Sequence, residues 1–170
     1  NAARAVKLAE GGLYIAGGVE SMSRAPYVMS KATSAFARDA QLFDTSLGWR
    51  FVNPKMKDAY GIDAMGQTAE NVAELVGISR EDQDAFAEAS HRKACAAIAD
   101  GHFSAETSPY AVCDHLPDLA SGEIRQRRRI VENDEGPRGD ISVEKLARLR
   151  PVFRAKGSVT AGNASQMSDG

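Results

Sequence analysis

The chain has 170 residues, 43% of them hydrophobic and 26% charged, with a formal charge of −2. That balance describes a globular segment able to bury one core or slightly more, and it excludes the disordered, fibrous and strongly basic classes. No apolar run approaches the roughly 18 residues that cross a bilayer, and the opening "NAARAVKLAE" has no signal-peptide core, so a cytoplasmic protein with neither membrane nor nucleic-acid partners is expected.

Asn1 opens inside a helical pattern, with Ala2, Ala5, Val6, Leu8 and Ala9 at helical spacing, so the chain is expected to start within a longer protein. The "EGG" at 10 to 12 supplies a stop, and the apolar run "LYIAGG" then reads as a buried strand. A short apolar strand entered from a helix predicts an α/β core. From Glu20 to about Pro54 the regular pattern fades, and at most short helices are expected. The aromatic residues of this stretch, Phe43, Trp49 and Phe51, are too apolar for a free linker and are expected to pack on the body or on a second subunit.

Helical signals return at "MGQTAENVAELVG", with Thr68 as the first-turn cap and Gly77 as the stop. Ser79 and Asp82 then form a capping-box-like start to a second helix that runs to "DG" at 100 to 101, so the two predict a helical hairpin. "ETSPYAVCD" reads as a strand and "GEIRQRRRIVEN" as a turn followed by a basic strand. Ser142 caps a short helix, "VEKLARLR", which Pro151 ends, and "VTAG" is the last expected strand.

Few side chains suggest chemistry by themselves. His91, His102 and His115 have no spacing suited to a metal site or a nucleophile and base, so surface or structural roles are favoured. Cys95 lies mid-helix and Cys113 mid-strand, where a thiol is structural rather than reactive. The cluster Arg125, Arg127, Arg128 and Arg129 lacks interleaved aromatics and reads as a solvated face or subunit contact. Arg138 follows Pro137 in a turn just before a helix, a context that suits a phosphate or adenine partner.

Four segments, in order, resemble the thiolase family, whose enzymes make or cleave 3-oxoacyl-CoA thioesters: "IAGGVESMSRAP" at 15 to 26, "AMGQTAENVAE" at 64 to 74, "SREDQDAFAEASHRKA" at 79 to 94 and "GSVTAGNASQMSDG" at 157 to 170. The intervening "SAFARDAQLFDTSLGWRFVNP" is similar to the degradative, 3-oxoadipyl-CoA type. Family members of the biosynthetic type carry a histidine where this chain has Ala64, which favours a substrate other than acetoacetyl-CoA; "SQMSDG", where many members read "SGxNDG", leaves the subtype open.

The resemblance implies a partial thiolase fold: part of the N-terminal α/β core over 1–26, an inserted loop domain with helices over 27–156, and a return strand or loop over 157–170. It implies that the nucleophilic cysteine precedes Asn1, that the catalytic histidine and a second cysteine follow Gly170, and that no catalytic residue or metal site lies between. It further implies coenzyme A as substrate without any cofactor, and a homodimer or homotetramer. The CoA contacts it implies are Ala161 and Ser165 at the pantetheine arm, with Gly162 and Asn163 shaping that loop, Met65 in the pantetheine or acyl tunnel, Phe153 along the CoA, and Arg138 near the adenine and phosphates. Core packing is an equal reading for Met65 and Phe153. A non-catalytic acyl-CoA or lipid-carrying module on the same fold is the competing functional reading.

Overall fold

The computed structural model describes residues 1–169; Gly170, the last residue of the expected return segment, lies outside them. The described residues divide into two compact units, residues 1–68 with 166–169, and residues 69–165.

The first unit begins with helix α1 (Ala2–Lys7). Its stop comes earlier than the glycines. Ala9 takes the left-handed conformation at φ 56°, and the Glu10 N–H donates back to the Ala5 carbonyl at 3.1 Å, closing a Schellman-type end on a non-glycine residue. The expected strand "LYIAGG" pairs with nothing among the described residues, and Leu13 and Ile15 stand 85% and 95% exposed. An extended segment becomes a strand only when a neighbour takes its N–H and C=O groups, and none is supplied here.

The stretch read as irregular contains a 3₁₀ turn (Met22–Arg24) and two short strands, β1 (Tyr27–Met29) and β2 (Leu42–Asp44), paired antiparallel with Val28 opposite Phe43. Three-residue strands carry too little alternation to be seen in sequence. Phe43 meets Phe51 edge to face at 5.3 Å, whereas Trp49 remains mostly exposed. Helix α2 (Pro54–Tyr60) has proline in its first turn and is capped by Asn53, whose side chain accepts from the Lys55 N–H. Asp169 belongs to this unit, where it accepts from the Ser23 N–H at 2.7 Å and from the Ser23 hydroxyl.

Helix α3 (Met65–Val76) starts before Thr68, so Thr68 is no cap; its hydroxyl donates to the Ala64 carbonyl one turn back. Gly77, at φ 73°, ends the helix as expected, with the Ile78 N–H reaching the Ala73 carbonyl. Helix α4 (Arg80–Ala99) follows, its Ser79 cap accepting from the Asp82 N–H. The two helices do not form the expected packed hairpin. Helix α4 packs instead on α5 (Val143–Ala147), to which Arg80 donates at the Leu146 carbonyl. Between them, the two expected strands, β3 (Tyr110–Pro117) and β4 (Ile124–Val131), pair as an antiparallel hairpin with Cys113 opposite Arg128. The predicted strand "VTAG" is reduced to one bridge, Thr160 with Pro151.

All side chains buried among the described residues lie in the second unit: Ala73, Ala87, Leu146 and Val159, with the polar Glu70, Asp84 and Thr160. Full burial of Leu146 and Val159 contributes about 1.5–3 kcal/mol each. Three polar groups in so small a core require partners, since an unpartnered buried carboxylate is prohibitive.

Candidate functional site

Those partners converge on the loop 157–165, the stretch "GSVTAGNAS". Glu70, on α3 and 3% exposed, accepts from the Ser158 N–H at 2.9 Å, from the Val159 N–H at 2.9 Å and from the Ser158 hydroxyl at 3.3 Å. Burial pushes the Glu70 pKa up, but the two backbone N–H groups, the Ser158 hydroxyl and the Arg154 charge together outweigh it and hold the carboxyl below its ordinary value of 4.5. The carboxylate comes so close to Gly157 that a Cβ there would sit 2.5 Å from the Glu70 Cδ. Glycine is required at 157 by proximity.

Asp84, on α4 and 2% exposed, accepts from Arg80 Nε at 2.7 Å and from Asn163 Nδ2 at 2.8 Å. Arg80 Nη2 also donates to the Leu146 carbonyl at 2.6 Å and the Leu149 carbonyl at 3.2 Å, and so satisfies the C-terminal end of α5. Asn163 uses its whole amide. Its Nδ2 donates to Asp84 and to the Ser158 carbonyl at 3.1 Å, while its Oδ1 accepts from the Thr160 N–H at 2.7 Å.

Gly162 sits against Leu149, whose Cδ1 would lie 2.6 Å from an added Cβ, and against Leu146. Its N–H donates to the Thr160 hydroxyl, and the Ala164 N–H donates to the Thr160 carbonyl. Gln83 Nε2 donates to the Ser158 hydroxyl at 2.9 Å. Arg154 anchors the preceding turn to α3 through Glu74 at 2.7 Å and Asn71 at 2.6 Å. What remains at the surface is neutral and small, since Ala161 and Ser165 are exposed while Gly162 and Asn163 are half-buried.

Of the sequence-derived candidates, Ala161, Gly162, Asn163 and Ser165 thus stand on one built loop. Phe153 is 43% exposed on the turn leading to it, where the Val152 N–H donates to the Val159 carbonyl. Met65, at the first position of α3, is 82% exposed. Arg138 donates its backbone N–H to His91 Nδ1 at 3.1 Å, and its guanidinium donates to both oxygens of Asp140 at 3.3 Å. The Arg138 hydrogen bond and charge, with Lys145, hold the Asp140 carboxyl below its ordinary range. The helix that follows, α5, is a five-residue turn headed by Ser142, whose hydroxyl accepts from the Lys145 N–H.

His102 and His115 lie on a turn and on β3, and the described residues contain no cluster of three His, Cys, Asp or Glu able to hold a metal. Cys95 is half-buried on α4 and Cys113 is exposed on β3. Glu70 and Asp84 went unnoticed in the sequence. Their one signal is position, since each stands three residues ahead of a buried alanine, Ala73 or Ala87, and shares its helix face.

A family profile described as "Thiolase, N-terminal domain" matches residues 1–170. The chain is 51% identical over 169 residues to the beta-ketoadipyl-CoA thiolase of Acinetobacter baylyi, a match covering 99% of this chain and 40% of the relative. It is 49% identical to the 3-oxoadipyl-CoA/3-oxo-5,6-dehydrosuberyl-CoA thiolase of Escherichia coli strain K12, with the same coverage. Among solved structures, the acetyl-CoA acetyltransferase of Syntrophomonas wolfei superposes with a TM-score of 0.68 at 35% identity, over 89% of this chain and 34% of that one. The chain therefore spans about two fifths of the length of the curated relatives it matches. From its first residue to its last glycine-rich loop, this chain belongs to the thiolase family and carries part of that family's α/β fold.

Proposed function

We propose that the whole protein is an acyl-CoA C-acyltransferase that cleaves or forms a 3-oxoacyl-CoA, and that this segment supplies binding rather than chemical groups. In the cleavage direction, a cysteine thiolate attacks the 3-oxo carbon and the C2–C3 bond breaks. Its electron pair leaves on the acetyl-CoA enolate, which takes up a proton, and the acyl group stays on sulfur as a thioester. The thiol of a second CoA then attacks that thioester, releasing the shortened acyl-CoA and regenerating the cysteine. Positioning the long CoA chain is what makes the reacting carbon available, and that task falls to remote contacts.

The observation that carries this reading is the loop 157–165, whose small, neutral, exposed residues Ala161 and Ser165 stand on a backbone fixed from behind. Such a surface lets a pantetheine chain approach the backbone closely. Ala161 and Ser165 are assigned to the pantetheine arm, with Gly162 and Asn163 shaping that loop, Met65 to the pantetheine or acyl tunnel, Phe153 to a place along the CoA, and Arg138 to the adenine and phosphate end. Coenzyme A is taken as substrate, and no further cofactor is required. The half-identity to thiolases named for 3-oxoadipyl-CoA, together with Ala64, supports a 3-oxoadipyl-CoA-like substrate in preference to acetoacetyl-CoA.

We assign residues 1–26 and 157–170 to the core and 27–156 to an inserted domain. The association of residues 166–169 with the N-terminal unit, through Asp169 and Ser23, supports an excursion that returns. No helix among the described residues is long and apolar enough to cross a membrane, and a cytoplasmic homodimer or homotetramer is the assembly proposed. Exposed Leu13, Ile15, Trp49 and Phe36 are apolar surface of the kind that contacts usually cover.

The test is thiolysis by the full-length protein of 3-oxoadipyl-CoA and of acetoacetyl-CoA, followed at the absorbance of the magnesium enolate. CoA-dependent loss of the 3-oxoadipyl-CoA signal is expected. Acyl-CoA binding with no turnover of either ester would replace this reading by the non-catalytic carrier.

A further inference from the structure

We propose that Glu70 and Asp84 are positioning residues for the acyl-CoA subsite, fixing the backbone of the loop 157–165 from behind without touching the ligand. The proposal rests on the thiolase reading above and assigns residues outside the loop to its affinity. Both carboxylates are at least nine-tenths buried, and they stand on different helices. Glutamine and asparagine would fill the same volumes with a far smaller desolvation cost. What a carboxylate does there that an amide does not is accept on both oxygens. Glu70 takes two successive backbone N–H groups, Ser158 and Val159, plus a hydroxyl. A glutamine would aim its NH₂ at one of those donors, and one amide plane would rotate away.

Asp84 works one link further along. It receives Arg80 on one oxygen and Asn163 on the other, and Asn163 in turn receives the Thr160 N–H and donates to the Ser158 carbonyl. Fixing Asn163 therefore fixes Thr160 and Ser158, the residues that lead into Ala161. The two anchors bracket the exposed stretch. Their charges face inward and their accepting lone pairs are occupied by protein donors, which leaves a neutral surface toward a ligand that carries phosphates. Arg80 and Arg154 are themselves engaged by carboxylates of the protein, Asp84 and Glu74.

The experiment uses the full-length protein and measures CoA-dependent thiolysis, with the Kd for CoA taken by calorimetry. Glu70→Gln and Asp84→Asn are each expected to raise KM and Kd for CoA about tenfold, with kcat within twofold. Ala73→Gly is the stability control, since it weakens α3 from its buried face without removing a bond to the loop; it lowers the melting temperature and leaves KM unchanged. If Glu70→Gln or Asp84→Asn fails to fold, Gln83→Ala takes its place. It removes a neutral donor to the Ser158 hydroxyl and leaves both carboxylates; a several-fold rise in KM is expected, and an unchanged KM overturns the proposal. A wild-type protein that turns over, with both carboxylate variants moving KM no further than the control does, overturns the proposal and leaves the thiolase reading standing. A wild-type protein with neither turnover nor CoA binding removes both.

Discussion

Replacing Gly157 with alanine isolates the contact on which the loop depends. Two effects oppose each other. Gly157 has no left-handed φ, so alanine suits its backbone and, by reducing the freedom of the unfolded chain, would stabilise by about 0.4–1 kcal/mol. Against this, the new Cβ would lie 2.5 Å from Glu70 Cδ, 2.8 Å from Oε2 and closer still to Oε1, so the carboxylate must retreat by roughly 1.5 Å to regain ordinary contact. Overpacking of this kind costs about 1–3 kcal/mol. Displacement also weakens charge-assisted bonds to Ser158 and Val159, which contribute about 1.5–3 kcal/mol each when intact. The destabilising effects win by about 2–4 kcal/mol locally.

Native-state hydrogen exchange reads this at the affected atoms. Protection of the Ser158 and Val159 amides should fall on the order of a hundredfold, together with a lower urea midpoint. In a Glu70→Ala background the clash is gone, so Gly157→Ala should be near neutral there, giving a coupling of about 2–4 kcal/mol in the double-mutant cycle. Equal destabilisation in both backgrounds, or unchanged amide protection in the single variant, would refute the reasoning.

The depressed pKa of Glu70 sets a pH dependence: its stabilising contribution is complete above the unfolded value near 4.5 and is lost as pH falls through the lower folded value, so acid unfolding below about pH 4 should flatten in Glu70→Gln, checked by circular dichroism. Arg138→Ala should raise KM for CoA several-fold, about 1 kcal/mol given its exposed side chain, with kcat retained; steady-state thiolysis decides, and a fall in kcat alone would move Arg138 out of the binding role. Cys95→Ser and Cys113→Ser should each leave turnover within a few-fold, and loss of activity in either would place a working thiol inside this segment.

The parts of the fold that were legible in sequence are those specified locally. Ser79 with Asp82, Ser142, and Gly77 each act within a few residues, and the two long strands β3 and β4 carry enough length to be read. Misreadings arose where the decisive partner is distant or missing. Thr68 resembles a cap until the helix is seen to begin three residues earlier, and "LYIAGG" has the composition of a strand but nothing to pair with among the described residues. The candidate loop is legible only through the resemblance of "GSVTAGNASQMSDG" to the thiolase family. Its supports are not, because Glu70 and Asp84 are ordinary carboxylates on amphipathic helices until burial and direction are known. A charge on a helix reads as solvated by default, and no periodicity distinguishes one that turns inward.

The loop meets its anchors across long stretches of chain: Ser158 reaches back 88 residues to Glu70, and Asn163 reaches back 79 to Asp84. Helices α3 and α4, each with its own local ends, leave the ribosome long before Ser158, Val159 and Asn163, which complete the hydrogen bonding of their inward-facing carboxylates, are made. Until then those carboxylates must stay hydrated, and the face they share with Ala73 and Ala87 stays open to water. Closure of this unit waits for its last ten residues, so a chain arrested before Ser158 would keep its helices and lack its core. Partial synthesis yields a protease-sensitive intermediate rather than a smaller working domain.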